Sequence, residues 1–257
     1  MRIDNFKFRN CPSDSHPSGG FPVSKLLPYA PFTKLHGCLT AQDRRGGVYP
    51  RPECHLKRIS YKLDYRKKKK QVFELYEKYE RLVEPFKEQA VCEKGCASCC
   101  IDVGSVGATT LEGLIITEYI QRWDRQAIKE INRGLRENRH GKLNSVLVRC
   151  AFLDEEQNCL IYEVRPFSCR RLYSMRRCEG QGPVVHRQAY IIGQKTEKEL
   201  QQLDSEGCSG HLSFILRLLE KNRFREGYLR ENWSTEKFKD IIERYELVVH
   251  RQEKRER

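Results

Sequence analysis

Residues 92–100 read CEKGCASCC, four cysteines in nine positions with the spacing C-x3-C-x2-C-C. As a continuous helix this segment would carry Cys92, Cys96 and Cys99 at i, i+4 and i+7, three sulfurs on one face, with Cys100 turned about 100° away. Gly95 equally permits a loop whose backbone amides turn toward the sulfurs and favour their anionic form. In either geometry, thiolates this close repel one another unless protons or a cation neutralise them. Soft sulfur favours zinc, iron or cuprous copper over magnesium or calcium. Metal ligation is the economical reading. The competing one, reduced cysteines buried as small apolar residues, sits badly with Glu93, Lys94 and Ser98 lying among the sulfurs.

A second set follows in residues 150–178, CAFLDEEQNCLIYEVRPFSCRRLYSMRRC, where Cys150, Cys159, Cys169 and Cys178 are separated by eight, nine and eight residues. Such loops must fold back to meet a metal. Phe152, Leu153, Ile161 and Tyr162 can pack them, while Asp154 and Asn158 carry the turn chemistry. Arg165, Arg170 and Arg171 are placed to hydrogen-bond sulfurs or to offset thiolate charge. Cys208, in SEGCSGH beside His211, is a further candidate ligand. Of the seven histidines only His186 and His211 lie where they could complete a site, and no Ser-His-Asp or Cys-His arrangement can be argued.

The segments around the cysteines read as helices. Val72, Leu75, Tyr76, Tyr79, Leu82, Val83 and Phe86 recur at three and four residues, an amphipathic helix that delivers the chain to Cys92. In ATTLEGLIITEYI, Thr109 or Thr110 stands as N-cap with Glu112 in the first turn. A further helix carries Ile128, Ile131 and Leu135 and exits between Asn138 and Gly141. Residues 150–195 read as loops with a brief strand near Tyr190 to Ile192. Helical spacing returns at Leu212, Ile215, Leu216 and Leu219. It recurs from Phe238 to Val249 after a Ser234 cap.

The fold expected is mainly α, helices around a metal-stapled, loop-rich cysteine cluster. Its parts are an irregular or disordered N-terminal extension (1–60), a cysteine-cluster metal-binding domain (61–225) and a C-terminal amphipathic helix (226–257). Most of the ten prolines fall in the first part, together with Cys11, Cys38 and Cys54, which have no ligand-like spacing.

At 257 residues the chain can bury a core without help from disulfides or metal. MRIDNFKFRNCPSDSH does not read as a secretory signal, and no segment has the apolar length to span a bilayer. The expectation is a cytoplasmic protein, where reducing thiol pools disfavour a framework of six disulfides and leave metal to explain twelve cysteines. The formal charge of +13 invites a nucleic-acid reading, yet residues 1–60 hold 10 Lys and Arg against 4 Asp and Glu, and residues 61–257 hold 38 against 31. Nearly half of the excess therefore lies outside the cysteine region, and aromatic residues are not interleaved with basic ones as a stacking platform needs. Nucleic acid is disfavoured as a partner. The Lys67–Lys70 run reads as the solvated start of a helix, or alternatively as an anion-binding patch.

Taken together, CEKGCASCC, TTLEGLIITEYI and RCAFLDEEQNCLIYEVRPFSCRR, in that order over about residues 86–175, resemble the zinc- or iron-chelating cysteine-cluster family named for a CxxCxxCC motif. The resemblance implies that Cys92, Cys96, Cys99, Cys100, Cys150, Cys159 and Cys169 are the ligand set, with Tyr162, Arg165, Pro166 and Arg170 in the same block. Cys178 and Cys208 are less securely covered. Three residues rather than two separate Cys92 from Cys96, a departure from the family's pattern that bears on the site's geometry. One branch is described as flagellin lysine N-methylase. The resemblance thus implies zinc or iron, the iron alone or in an iron–sulfur cluster, and a protein partner or substrate is compatible with it.

Three readings of function follow: a metal-binding protein whose ion closes the loops onto the helices, an iron–sulfur, S-adenosylmethionine-dependent protein lysine methyltransferase, and a metal-stabilised protein or nucleic-acid adaptor. C-x3-C-x2-C also looks like the cluster motif of radical S-adenosylmethionine enzymes. Those place it in a loop of a (β/α) barrel, whereas helices flank it here and no alternating strand pattern is visible.

Overall fold

The computed structural model of the chain describes residues 40–42, 48–50, 52–92, 95–102, 106–145 and 147–251. The chain forms two units. In the smaller, residues 10–64, strands β1 (Thr40–Gln42) and β2 (Val48–Pro50) pair antiparallel. Helix α1 runs from Pro52 to Val83. Most of the expected 1–60 extension, with Cys11 and Cys38, lies outside the described residues.

In the larger unit, α2 (Ser98–Asp102) and strand β3 (Gly107–Thr109) precede α3 (Thr110–Ile120) and α4 (Arg125–Asn144). After a long loop come α5 (Phe167–Arg170), α6 (Arg187–Leu203) and strand β4 (Cys208–His211). Helices α7 (Leu212–Leu219), α8 (Asn222–Leu229) and α9 (Lys239–Arg244) and strand β5 (Val248–Val249) complete it. The protein is mainly α, with a small antiparallel sheet in the order β3-β4-β5. No described helix is long and apolar enough to cross a membrane.

Helix α3 organises the core. It starts where the TTLE motif indicates: the Thr109 hydroxyl accepts the Glu112 N–H at 3.2 Å and the Glu112 carboxylate accepts the Thr109 N–H at 2.7 Å, a reciprocal cap on donors the helix cannot satisfy itself. Leu111 and Ile115 pack with Val72, Tyr76 and Tyr79 of α1. Leu114 packs with Phe214 and Leu218 of α7, and Ile116 and Ile120 with Ile131, Leu135, Phe152 and Ile161. A helix buried on three sides needs a close-approach point, and Gly113 provides it: a Cβ there would lie 2.7 Å from Ile215 Cγ2.

Three local expectations give way to tertiary context. Tyr190–Ile192 is not a strand but part of α6, because Ala189, Gly193, Thr196 and Leu200 are buried at helical spacing. Helix α4 does not exit near Gly141 but continues to Asn144. The C-terminal stripe is not one helix: α9 stops at Arg244, Glu246 takes φ +49°, and Leu247 turns in against Gly210. The β-branched Val248 and Val249 then pair with Ser209 and Cys208.

The Lys67–Lys70 run lies within α1 rather than at a helix start, and three of its lysines meet carboxylates. Lys69 meets Glu118 at 2.6 Å, Lys68 meets Glu231 at 2.8 Å and Lys70 meets Glu74 at 3.2 Å.

Candidate metal centre

Cys92, Cys96 and Cys99 do not share one continuous helix. Gly95 takes φ +89°, a conformation that disfavours residues with a Cβ, and the helix begins only at Ser98. Cys92 and Cys96 therefore sit on the exposed approach, and Cys99 and Cys100 sit on α2.

Backbone hydrogen bonds bring the second cysteine segment to the first. The Cys150 N–H donates to the Cys100 carbonyl at 2.8 Å, and Asn138 holds the residue before it, its Nδ2 donating to the Arg149 carbonyl at 2.7 Å. Residues 150–160 then fold back on themselves: Leu153 bridges Cys159, the Leu160 N–H donates to Phe152 at 2.9 Å, and Asp154 accepts the Asn158 N–H at 2.7 Å. This is the turn the DEEQN sequence indicates. On the other side, Val91 donates to the Ser174 carbonyl at 2.8 Å and the Ser174 N–H donates to the Cys92 sulfur at 3.1 Å. Buried Ser174 also accepts the Val184 N–H through its hydroxyl at 3.0 Å, securing the loop near Cys178.

Cys169 is carried by α5, which Pro166 opens with a fixed φ suited to a helix start. Two contacts dock α5: Phe167 N–H donates to Glu112 at 2.7 Å, and the Ser168 hydroxyl donates to the Gly107 carbonyl at 2.5 Å.

The sulfurs fall into two groups. Cys99, Cys150, Cys159 and Cys169 lie within mutual electrostatic reach, with Cys100 hydrogen-bonded to Cys99. Around Cys92 lie Cys96 and Cys178, with Cys99 as the link to the first group. Burial pushes the Cys150 thiol up to about 11 and Cys169 well above the ordinary thiol range, and it also raises Cys159 and Cys92. Cys99 is raised first by its hydrogen bond with Cys100 and then by burial. Opposing this, backbone N–H groups donate to sulfur and favour the thiolate: Phe152 to Cys150, Ile161 to Cys159, and Ser174 to Cys92. Arg165 lowers Cys99, Cys159 and Cys169 in the same sense.

Buried cysteines with amides aimed at their sulfurs, yet kept protonated by desolvation and by one another, fit a soft cation chemically: it would stabilise the thiolates, remove their repulsion and leave the N–H···S bonds in place. Among the described residues, no three His, Cys, Asp or Glu side chains converge closely enough to hold an ion as they stand.

Other sequence candidates are placed differently. Cys208 is fully buried in β4 among Leu114, Phe214 and Leu218, its backbone bonded to Thr110 and its thiol raised first by burial and then by Asp204. It belongs to the core rather than to either sulfur group. Arg170 does not reach sulfur: it donates to the carbonyls of Glu163 (2.8 Å) and Arg165 (3.1 Å) and stacks 4.4 Å over Tyr76. Arg171 pairs with Glu197 at 2.9 Å. Tyr162 is exposed and carries Arg165 3.7 Å above its ring, so its role runs through that arginine. His186 caps α6, accepting the Gln188 N–H at 3.2 Å. Sequence reasoning saw Glu112 only as a cap and missed Ser174; nothing in their local patterns indicates a distant docking partner.

The chain thus presents a thiol-rich loop region, supported by backbone amides, on an α-helical frame. Residues 91–208 match the model of the CxxCxxCC family, described as "Putative zinc- or iron-chelating domain". That match spans somewhat less than half of the chain. No curated protein and no solved structure matches the chain.

Proposed function

We propose that the chain binds zinc or iron through thiolates, with Cys99, Cys150, Cys159 and Cys169 as the inner ligands and Cys92, Cys96, Cys100 and Cys178 as the outer set. The ion ties the 150–178 loop to α2 and α3. The observation that carries this reading is the backbone N–H donors aimed at Cys150, Cys159 and Cys92. Neutral thiols gain little from such donors, whereas thiolates gain much, and several neighbouring thiolates require a cation. A full set of thiolate ligands leaves no open position for substrate, so the reading is of a structural or storage site.

Serine at Cys169 tests the inner set. Purified without oxygen, the Cys169→Ser chain is expected to carry less metal per chain than the unaltered protein, whereas Cys208→Ala, which also touches a buried cysteine, is expected to carry the same amount. Full metal content in the Cys169→Ser chain would contradict the proposed ligand set.

A further inference from the structure

We infer that the outward face of α4 is a docking surface for an acidic segment of a partner protein. Helix α4 buries Ile131 and Leu135 on one side and turns Arg125, Lys129, Arg133 and Arg136 to solvent on the other. At about 100° and 1.5 Å per residue, these four fall within about 80° of one another and rise in steps of about 6, 6 and 4.5 Å. Among the described residues, none of the four has an ion pair or a side-chain hydrogen bond. Basic residues elsewhere meet carboxylates: Lys69 meets Glu118, Lys78 meets Glu199, Arg171 meets Glu197 and Arg230 meets Glu226. Past Arg136 the excess of positive charge continues, because Arg139 and Arg217 share one carboxylate, Glu220. The bare face also works against its own helix. Arg125 with Lys129, and Lys129 with Arg133, are like charges four residues apart. Arg125 moreover opens α4, where the macrodipole disfavours a cation.

Three features choose the occupant. The cationic line is narrow: exposed Glu130 and Glu137 stand about 40–60° round the helix from Arg133, so a ligand carrying phosphates on a broad front would meet carboxylates. Helix α4 contains no aromatic residue and so offers bases no stacking platform. The same face ends in apolar residues, with Leu143 in the angular position of Arg125 and Leu147 just beyond the helix, exposed by 41% and 56%. A phosphate backbone would leave these leucines uncovered, and two of them fall far short of the apolar face by which a helix lies in a membrane. An acidic segment with apolar residues at one end covers both parts. If helical, it repeats the spacing of α4, and its carboxylates pair with the four cations along about 16 Å.

Fluorescence anisotropy of the full chain with a labelled peptide tests this, the peptide bearing glutamates at the α4 spacing and leucines beyond them. The unaltered chain is expected to bind it about tenfold more tightly than a scrambled peptide of the same composition. Reversing the face, by Arg125→Glu, Lys129→Glu, Arg133→Glu and Arg136→Glu together, is expected to weaken binding by about tenfold or more. Four reversals at exposed positions elsewhere, Arg187→Glu, Lys195→Glu, Lys198→Glu and Lys237→Glu, are expected to weaken it by about twofold at most. Circular dichroism establishes that each chain is folded. Should the α4 variant fail to fold, carbodiimide treatment of the unaltered chain with the peptide gives the answer, because a crosslink is expected at Lys129. Equal binding by the two fourfold variants, no preference over the scrambled peptide, or no crosslink at Lys129 overturns the docking surface. Single-stranded DNA or phosphatidylserine vesicles binding through this face more tightly than the peptide overturns the choice of an acidic protein segment.

Discussion

The Glu112 carboxylate accepts the backbone N–H of Phe167 at 2.7 Å, joining the first turn of α3 to the short helix that bears Cys169. The same buried carboxylate accepts the Tyr76 hydroxyl at 2.6 Å and the Thr109 N–H at 2.7 Å. One side chain thus fixes a helix start, a neighbouring helix and the cysteine loop. This gives a physical reason for TTLEG and RPFSCR to occur together: the first motif docks the second.

Removing that acceptor strands three buried donors. Glu112→Ala is expected to lower stability by about 3 kcal/mol or more, and Glu112→Gln, which turns an amide N–H₂ toward one of the donors, by about 2 kcal/mol. Urea unfolding measures the loss. Hydrogen exchange at Phe167 to Arg170 should rise in both variants even under native conditions.

Arg165 and Arg170 stand five residues apart and do different work. Arg170→Gln abandons two loop carbonyls and the Tyr76 ring, so it is expected to destabilise the fold by roughly 1–3 kcal/mol. Arg165→Gln leaves those bonds in place and removes the charge that favours thiolates at Cys99, Cys159 and Cys169. In metal-free protein, its cysteines should alkylate several-fold more slowly at pH 8, with little change in the urea midpoint. Equal alkylation rates would remove Arg165 from the account.

Asp204 gives a pH dependence of definite sign. It accepts the Tyr228 hydroxyl at 2.5 Å and the Leu111 N–H at 3.1 Å, yet burial raises its carboxyl to about 7. With an unfolded value near 3.9, the folded state binds the proton more tightly. The stabilisation is complete below about pH 4 and is lost as pH rises to about 7, on the order of 4 kcal/mol in total. Asp204→Asn should remove that part of the slope of stability between pH 4 and 7. The comparison with the unaltered chain matters because burial lowers the nearby His250, which contributes with the opposite sign over part of this range.

Much of the helical frame was legible because its signals are local: the stripe of α1, the Thr109–Glu112 cap and the apolar face of α7. What was not legible depends on partners distant in sequence. Val248 and Val249 fit a helical stripe equally well until Cys208 and Ser209 offer a strand edge. Arg170 has no local sign that loop carbonyls, not sulfurs, await it. The cysteine spacing of CEKGCASCC left helix and loop open; with Gly95 at positive φ, Cys92, Cys96 and Cys99 do not share one continuous helix. Cys208 looked like its fellow cysteines, and only packing separates it from them.

The most direct test of the central claim is the metal content of the full chain purified without oxygen, read by elemental analysis together with its ultraviolet–visible spectrum. The account predicts at least about one zinc or iron per chain, released in step with loss of helical signal when thiolates are protonated or a chelator is added. A folded chain that holds neither metal, takes up none on addition, and shows every thiol titrating freely would contradict it.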